Sequence, residues 1–184
     1  MNWEDEGYLI SKKKFRENAN IINVFTNKYG RMHGIVYGGN SRKIRNFLQI
    51  GNKIFVFYSA KNQNKIGYLK TELINPISPR FFNDKKRTTA IISLSSILKI
   101  LLPESQPYQN FYNNLENFYQ NISTDEWQLL YIFWEMNLIK ELGFDPNLSQ
   151  FELKINKQNY FTDMKIDNII YSIPNFLIIN KMPD

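Results

Sequence analysis

The chain has 184 residues, 43% of them hydrophobic and 15% aromatic, enough apolar bulk for a folded core in one domain or two small ones. It has no cysteine and a single histidine, His33, which excludes disulfides, cysteine nucleophiles, iron–sulfur clusters, Cys-built zinc sites and a His-rich metal centre. The formal net charge of +6 averages two unequal halves: residues 1–90 carry +11 and residues 91–184 carry −5. Such a split is expected where a basic module meets a polyanion and an acidic one meets protein.

The N-terminus, Met1-Asn2-Trp3-Glu4-Asp5-Glu6, is acidic and lacks the basic-then-apolar order of a signal peptide. Its carboxylates read as a solvated device beside the first strand rather than a metal site. Residues 7–15, 19–27, 31–38, 52–60 and 66–75 are rich in Ile, Val, Phe, Tyr and Thr and are separated by turn signals such as Lys28-Tyr29-Gly30 and Gly38-Gly39-Asn40-Ser41. Five short strands in this length predict a small closed β-barrel of the OB-fold type. Ile54-Phe55-Val56-Phe57-Tyr58 is apolar on both faces, so its outer face is expected to need a cover.

Pro76-Ile77-Ser78-Pro79 disfavours both strand and helix and marks the expected boundary between a barrel domain, residues 1–76, and a helical domain, residues 77–184. The fold class is therefore α+β with two domains. Ile91, Leu94, Leu98 and Leu101 form one helical stripe ended by Pro103; Phe111, Leu115, Phe118, Tyr119 and Ile122 form a second. Trp127, Leu130, Tyr131, Trp134 and Leu138 line a third helix, with Ser123 and Glu126 as an expected capping box and Gly143 as its stop. Residues 151–184 predict a short hairpin followed by the apolar Phe176-Leu177-Ile178-Ile179. The longest apolar tract, residues 90–102, is broken by Ser93, Ser95, Ser96 and Lys99, and it is shorter than the ~20 residues of a membrane-spanning helix. A cytoplasmic location follows, without a membrane partner.

Basic clusters with interleaved aromatics carry the functional signal. Lys12-Lys13-Lys14-Phe15-Arg16 ends the first strand, and Arg42-Lys43-Ile44-Arg45 follows a glycine turn near Arg31. Barrels of this kind hold single strands by pairing a positive groove with stacking rings, for which Tyr8, Tyr29, Tyr37 and Tyr58 are candidates, although most aromatics simply pack. No base-reading motif is present, so binding is expected to follow the backbone. Gly38-Gly39 lacks the Gly-Lys-Ser/Thr of a nucleotide loop, and Glu135 and Glu141 lie six apart, off one helical face. No catalytic constellation, cofactor site or metal site is read from the chain.

Several stretches in order resemble the RecO family of bacterial recombination and repair mediators. They are Trp3-Glu4-Asp5-Glu6-Gly7, Glu17-Asn18-Ala19-Asn20-Ile21-Ile22 and Phe25-Thr26-Asn27-Lys28-Tyr29-Gly30-Arg31. The most specific is Val36-Tyr37-Gly38-Gly39-Asn40-Ser41-Arg42-Lys43-Ile44-Arg45, leading to Leu48-Gln49-Ile50-Gly51-Asn52. Leu101-Leu102-Pro103-Glu104 and Trp134-Glu135-Met136 to Glu141-Leu142-Gly143-Phe144 extend the likeness over roughly residues 3–150.

The resemblance implies an N-terminal OB-fold, a helical C-terminal domain and no catalytic activity. It implies binding of single- and double-stranded DNA, annealing of complementary strands, and association with the nucleoid. With a RecR-like partner, such proteins help load RecA onto DNA coated by single-stranded-DNA-binding protein. Carried over by position, Arg31, Arg42, Lys43 and Arg45 are the first DNA contacts, and Lys12, Lys13, Lys14 and Arg16 follow from charge alone. Trp127, Tyr131, Trp134 and Leu138 are the candidate contacts for the tail of the single-stranded-DNA-binding protein. Asn40 stands where relatives carry a basic or small residue, and Phe133 where they often carry Arg. The four-cysteine zinc module of many relatives is absent, and the chain is expected to be short at its C-terminus. An RNA-binding barrel and a non-enzymatic protein-interaction adaptor are the alternatives.

Overall fold

A computed structural model of the chain describes residues 1–38, 41–62 and 66–143, apart from the side chains of residues 42 and 43, together with the backbone of three later strands. The first five strands are β1 (Asn2–Lys14), β2 (Ala19–Thr26), β3 (Gly30–Tyr37), β4 (Lys53–Ser59) and β5 (Tyr68–Asn75). They hydrogen-bond in the order β1-β2-β3-β5-β4, and β4 returns to β1, closing a barrel as the strand pattern predicts. Closure rests on the length of β1. Its first half pairs with β4 from Asn2 to Tyr8, its second half with β2 from Gly7 to Lys14, and a register shift between Leu9 and Ser11 bends it around the barrel. On the far side β3 and β5 meet in parallel at Ile35 and Tyr68.

The barrel interior is filled by Leu9, Ile22, Val24, Val36, Leu48, Ile54, Val56 and Leu69, with Trp3 stacked between Tyr29 and Tyr58 at centroid distances of 4.2 and 4.8 Å. Glu4-Asp5-Glu6 lies inside β1, not before it. Asp5 is buried and accepts from the backbone N–H of Glu6 (2.9 Å) and Lys28 (2.6 Å), clamping the β2–β3 turn, while Glu6 pairs with Lys53 at 3.0 Å. The doubly buried run is Gly7–Ile10 of β1 rather than β4: Tyr8 meets Tyr112 outside the barrel, and Phe55 and Phe57 remain half-buried.

A short helix absent from the expected elements, α1 (Arg42–Phe47), connects β3 to β4. Ser41 caps it, its hydroxyl accepting from the Ile44 N–H at 3.4 Å. Asn52 then ties three segments together. Its fully buried amide donates to the Phe47 carbonyl at 2.9 Å and accepts from the N–H of Ile77 and Ser78 at 2.8 and 3.0 Å.

A 3-10 turn (Ser78–Phe81) leads into α2 (Lys85–Leu101), whose N-terminus Asp84 caps by accepting from the Arg87 N–H at 3.0 Å. That bond, with the Arg87 guanidinium beside it, holds the Asp84 carboxyl below the usual carboxylate range. Ile91, Leu94 and Leu98 are buried as the stripe predicts, but the helix ends so that Leu102 is buried and Leu101 is exposed. Arg31 fastens this end to β3: its Nε donates to the Leu102 carbonyl at 2.7 Å and its Nη1 to Glu104 at 3.0 Å. Gly30, at φ +69°, lies under Gln106; a Cβ there would meet the Gln106 carbonyl oxygen at 1.8 Å.

The chain divides into two compact units, Met1–Asn113 and Asn114–Asp184. Because α2 packs on β1 within the first, this division falls beyond Pro76 and Pro79. Helix α3 (Gln109–Asn121) begins in the first unit, where Phe111 and Tyr112 pack on Phe25. In the second unit its Leu115, Phe118, Tyr119 and Ile122 are buried with residues of α4 (Trp127–Glu141), and Phe118 meets Tyr131 edge-on at 5.8 Å. The expected Ser123 cap is not formed: α4 starts at Trp127 without a side-chain cap. Three strands follow, β6 (Leu153–Lys154), β7 (Phe161–Ile166) and β8 (Ile169–Pro174), paired antiparallel in that order. The expected hairpin corresponds to β7 and β8, and residues 176–179 lie outside the described residues. Among the described residues no helix is long and apolar enough to cross a membrane.

Asn52→Ala would strand the buried Ile77 N–H together with the part-buried Ser78 N–H and Phe47 carbonyl. It is expected to cost about 3 kcal/mol, read from denaturant unfolding of the first unit.

Candidate nucleic-acid interface

The first basic cluster is bonded to the end of the helix that carries the second. Strand alternation puts Lys12 and Lys14 on one face of β1 and Lys13 on the other. Lys12 donates to the Leu48 carbonyl, just past α1, at 2.7 Å. Burial and then the Arg45 guanidinium lower its pKa from the ordinary lysine value. Arg45 lies in the last turn of α1, the helix that Leu48 caps. Lys14 and Arg45 are exposed. Arg42 and Lys43 open α1, but their side chains lie outside the described residues, as do Gly39 and Asn40.

Arg16 occupies the β1–β2 turn with φ +94°, a conformation that favours glycine, and its guanidinium lies 5.1 Å from the centroid of the Phe15 ring. Arg31 is placed differently. Its guanidinium bonds Leu102, Glu104 and Asn23, the last at 3.2 Å, so it is engaged inside the molecule. His33 joins the same knot, its Nδ1 3.1 Å from Glu104 Oε2.

The candidate stacking rings separate just as clearly. Tyr8 is buried, and Tyr29 and Tyr58 stack on Trp3. Only Tyr37 among the four is exposed, and it stacks at 5.6 Å on Tyr68, a residue the sequence reading passed over. Tyr68-Leu69-Lys70 alternates exposed, buried, exposed, which is the signal that points to it. Tyr37 and Tyr68 stand in an open groove of about 1140 Å³ that Ile44 and Phe47 of α1 also line. The groove's charged residues are Glu4, Lys70 and Glu72, so it is not cationic. Helix α1 thus faces an aromatic groove with its apolar side while Arg45 belongs to the basic edge.

Two family models match in tandem: the one described as recombination protein O N terminal covers residues 1–77, and the one described as recombination protein O C terminal covers residues 83–155. The chain belongs to the RecO family. A protein named DNA repair protein RecO from Wolbachia pipientis wMel is 35% identical over 161 residues, covering 86% of this chain and 66% of the relative. Proteins of the same name from Rickettsia canadensis and Ehrlichia chaffeensis are 34% and 31% identical, with 88% and 86% of this chain matched. The chain spans about 66% of the length of the first of these RecO relatives.

In the helical unit of this RecO family member, Trp127, Tyr131, Trp134 and Leu138 are all buried. The exposed apolar residues of α4 are Phe133 and Ile139. Burial pushes the Glu135 carboxyl up to about 7, opposed in part by the Tyr131 hydroxyl.

Two outcomes follow from these placements. Arg16→Gly is expected to exceed Arg16→Ala in stability by about 1–2 kcal/mol in thermal unfolding, because only glycine takes this backbone conformation without strain. Glu135 holds its proton more tightly folded than unfolded. The second unit should therefore lose stability as pH rises from 4.5 to about 7 and stay level above that. Glu135→Gln should abolish this loss, followed by the fluorescence of Trp127 and Trp134 in urea.

Proposed function

We propose that the chain acts as a RecO-type mediator of DNA repair and recombination that binds single- and double-stranded DNA along its basic edge. The observation that carries this reading is the 2.7 Å bond from Lys12 to the Leu48 carbonyl, which fastens the first basic stretch to the end of the helix whose last turn carries Arg45. Like charges on one surface are relieved when a phosphate neutralises them. Lys14 and Arg16 extend the same edge, and Arg42 and Lys43, at the start of α1, are assigned to it by position. Lys13 contributes from the opposite face. Arg31 orders the surface from inside through Leu102 and Glu104.

On this reading the barrel module, residues 1–76, supplies most of the DNA surface, and the acidic helical domain, residues 77–184, meets protein. Neutralising phosphates on two strands lets complementary strands approach, which is the physical basis of annealing. The partners assigned are a RecR-like protein, single-stranded-DNA-binding protein and, indirectly, RecA, at the nucleoid and without a catalytic step. A partner's tail reaching α4 would touch Phe133 and Ile139 first, with Trp127, Tyr131, Trp134 and Leu138 supporting them from the core.

Binding should weaken steeply with salt, each neutralised phosphate of a single strand contributing a slope of roughly −0.7. Replacing Lys14 and Arg45 together by Ala should make that slope shallower by about 1.4 without loss of fold, measured by fluorescence anisotropy across a salt series. Salt-insensitive binding would sink the reading, and matched RNA outcompeting DNA would move it to an RNA protein. A strand-annealing assay with and without single-stranded-DNA-binding protein tests the activity itself.

A further inference from the structure

We propose that an apolar cleft beside Lys12 receives one unstacked base of a single-stranded nucleic acid whose phosphates lie on Lys12 and Arg45. The proposal rests on the DNA reading and adds a subsite that distinguishes single strand from duplex. The cleft has a volume of about 310 Å³, at the lower end of ligand pockets, and lies between the loop after α1, the 3-10 turn and the first half of α2. Lys12 and Leu48 stand in its wall, and Lys12 is bonded to the Leu48 carbonyl at the end of the helix that carries Arg45, so the cleft adjoins the basic edge. Donating to the Leu48 carbonyl uses one of the three N–H groups of Lys12 and leaves two for a phosphate.

Three features fit a base. Phe82, which lines the cleft, is 62% exposed and offers a free ring face to stack on. Leu48, Ile91 and Ile92 supply apolar walls. Gln49 also lines the cleft, and its side-chain oxygen is buried without a hydrogen-bond partner among the described residues. An aliphatic or phenyl side chain from a protein partner would offer the amide nothing; a turn of the Gln49 side chain would bring its oxygen or its N–H to the edge of a base.

The cleft is also preformed. Asn52 holds the end of α1 to Ile77 and Ser78, the Ser78 hydroxyl donates to the Ile50 carbonyl, and the Thr88 hydroxyl donates to the Phe81 carbonyl at 2.6 Å. Its walls therefore need little ordering when a base enters. The Tyr37–Tyr68 groove offers more ring surface, but its charged lining is Glu4, Lys70 and Glu72, which does not attract a phosphate chain. The cleft alone combines a ring, an unanswered acceptor and a cation. A stacked duplex cannot insert a base there without unpairing it.

The test compares the full chain with its Phe82→Ala, Gln49→Leu and Arg45→Ala variants on an acidic peptide carrying one phenylalanine and on three labelled nucleic-acid ligands: a single strand, the matching duplex, and a strand of the same length made entirely of abasic sugar-phosphate. Fluorescence anisotropy should show Phe82→Ala weakening the single strand about tenfold, the scale of one lost base–aromatic stack, with duplex and abasic strand unchanged. Gln49→Leu should weaken the single strand selectively as well. Unchanged single-strand binding by Phe82→Ala, or an equal loss on all three ligands, would overturn the subsite. So would loss of binding only to an acidic peptide carrying one phenylalanine, which would make the cleft a protein site. If Arg45→Ala left all three affinities intact, the DNA reading would fall first, an outcome distinct from failure of the cleft alone.

Discussion

Much of the first unit depends on one buried amide. Asn52 sits where β4 begins, and its backbone carbonyl accepts from the Leu9 N–H at 3.0 Å while its side chain holds Phe47, Ile77 and Ser78. An amide suits this place because it donates and accepts at once, and a carboxylate could not donate to Phe47. Through that residue the barrel core sets the position of α1, and α1 in turn carries Arg45. The same bonds shape the turn that carries the chain into α2. The basic edge is therefore a product of interior hydrogen bonding, although Lys12, Lys14, Arg16 and Arg45 are exposed.

Charge by itself does not show where a side chain is engaged. The basic half of the chain carries +11, but Arg31 belongs to the interior account, with its guanidinium filling the C-terminal end of α2 and its Glu104 partner lying in the other half. A residue type suited to phosphate is equally suited to terminal helix carbonyls, since both want planar donors. Arg16 is the opposite case: a positive charge kept at a backbone position where glycine is cheaper. Strain retained in a turn next to a basic cluster fits a residue held for its side chain rather than for folding.

The periodic parts of the fold were legible in the sequence. The five strands and the stripes of α2, α3 and α4 follow from alternation and from the 3.6-residue repeat, which report burial on one face. What escaped depended on short range or on distant partners. Helix α1 has six residues and follows a glycine turn, so its pattern of Ile44, Phe47 and Leu48 is too brief to outweigh the turn signal. Leu101 and Leu102 are adjacent, and it is Leu102, whose carbonyl accepts from the distant Arg31, that is buried. Ser123 and Glu126 have capping-box spacing, yet the turn before α4 spends those residues outside the helix. For the candidate site, the two basic clusters were visible but not the bond that fastens the first to the helix of the second. Phe82 carried no signal and Gln49 only its place in a family stretch, since a cleft is made by segments that meet only after folding.

The closure between β3 and β5 has a consequence of another kind. The other strand pairs of the barrel are antiparallel ladders of seven or eight residue pairs, whereas this one meets at Ile35 and Tyr68 with the Ile35 N–H donating to the Gly67 carbonyl at 2.9 Å. Parting it would leave two bare strand edges, each a template for a second chain. The Tyr37–Tyr68 stack bridges this same junction. A pair of rings on the outside of the molecule thus works as a clasp, and keeping the protein from associating edge to edge falls to side-chain contact where backbone pairing is thinnest.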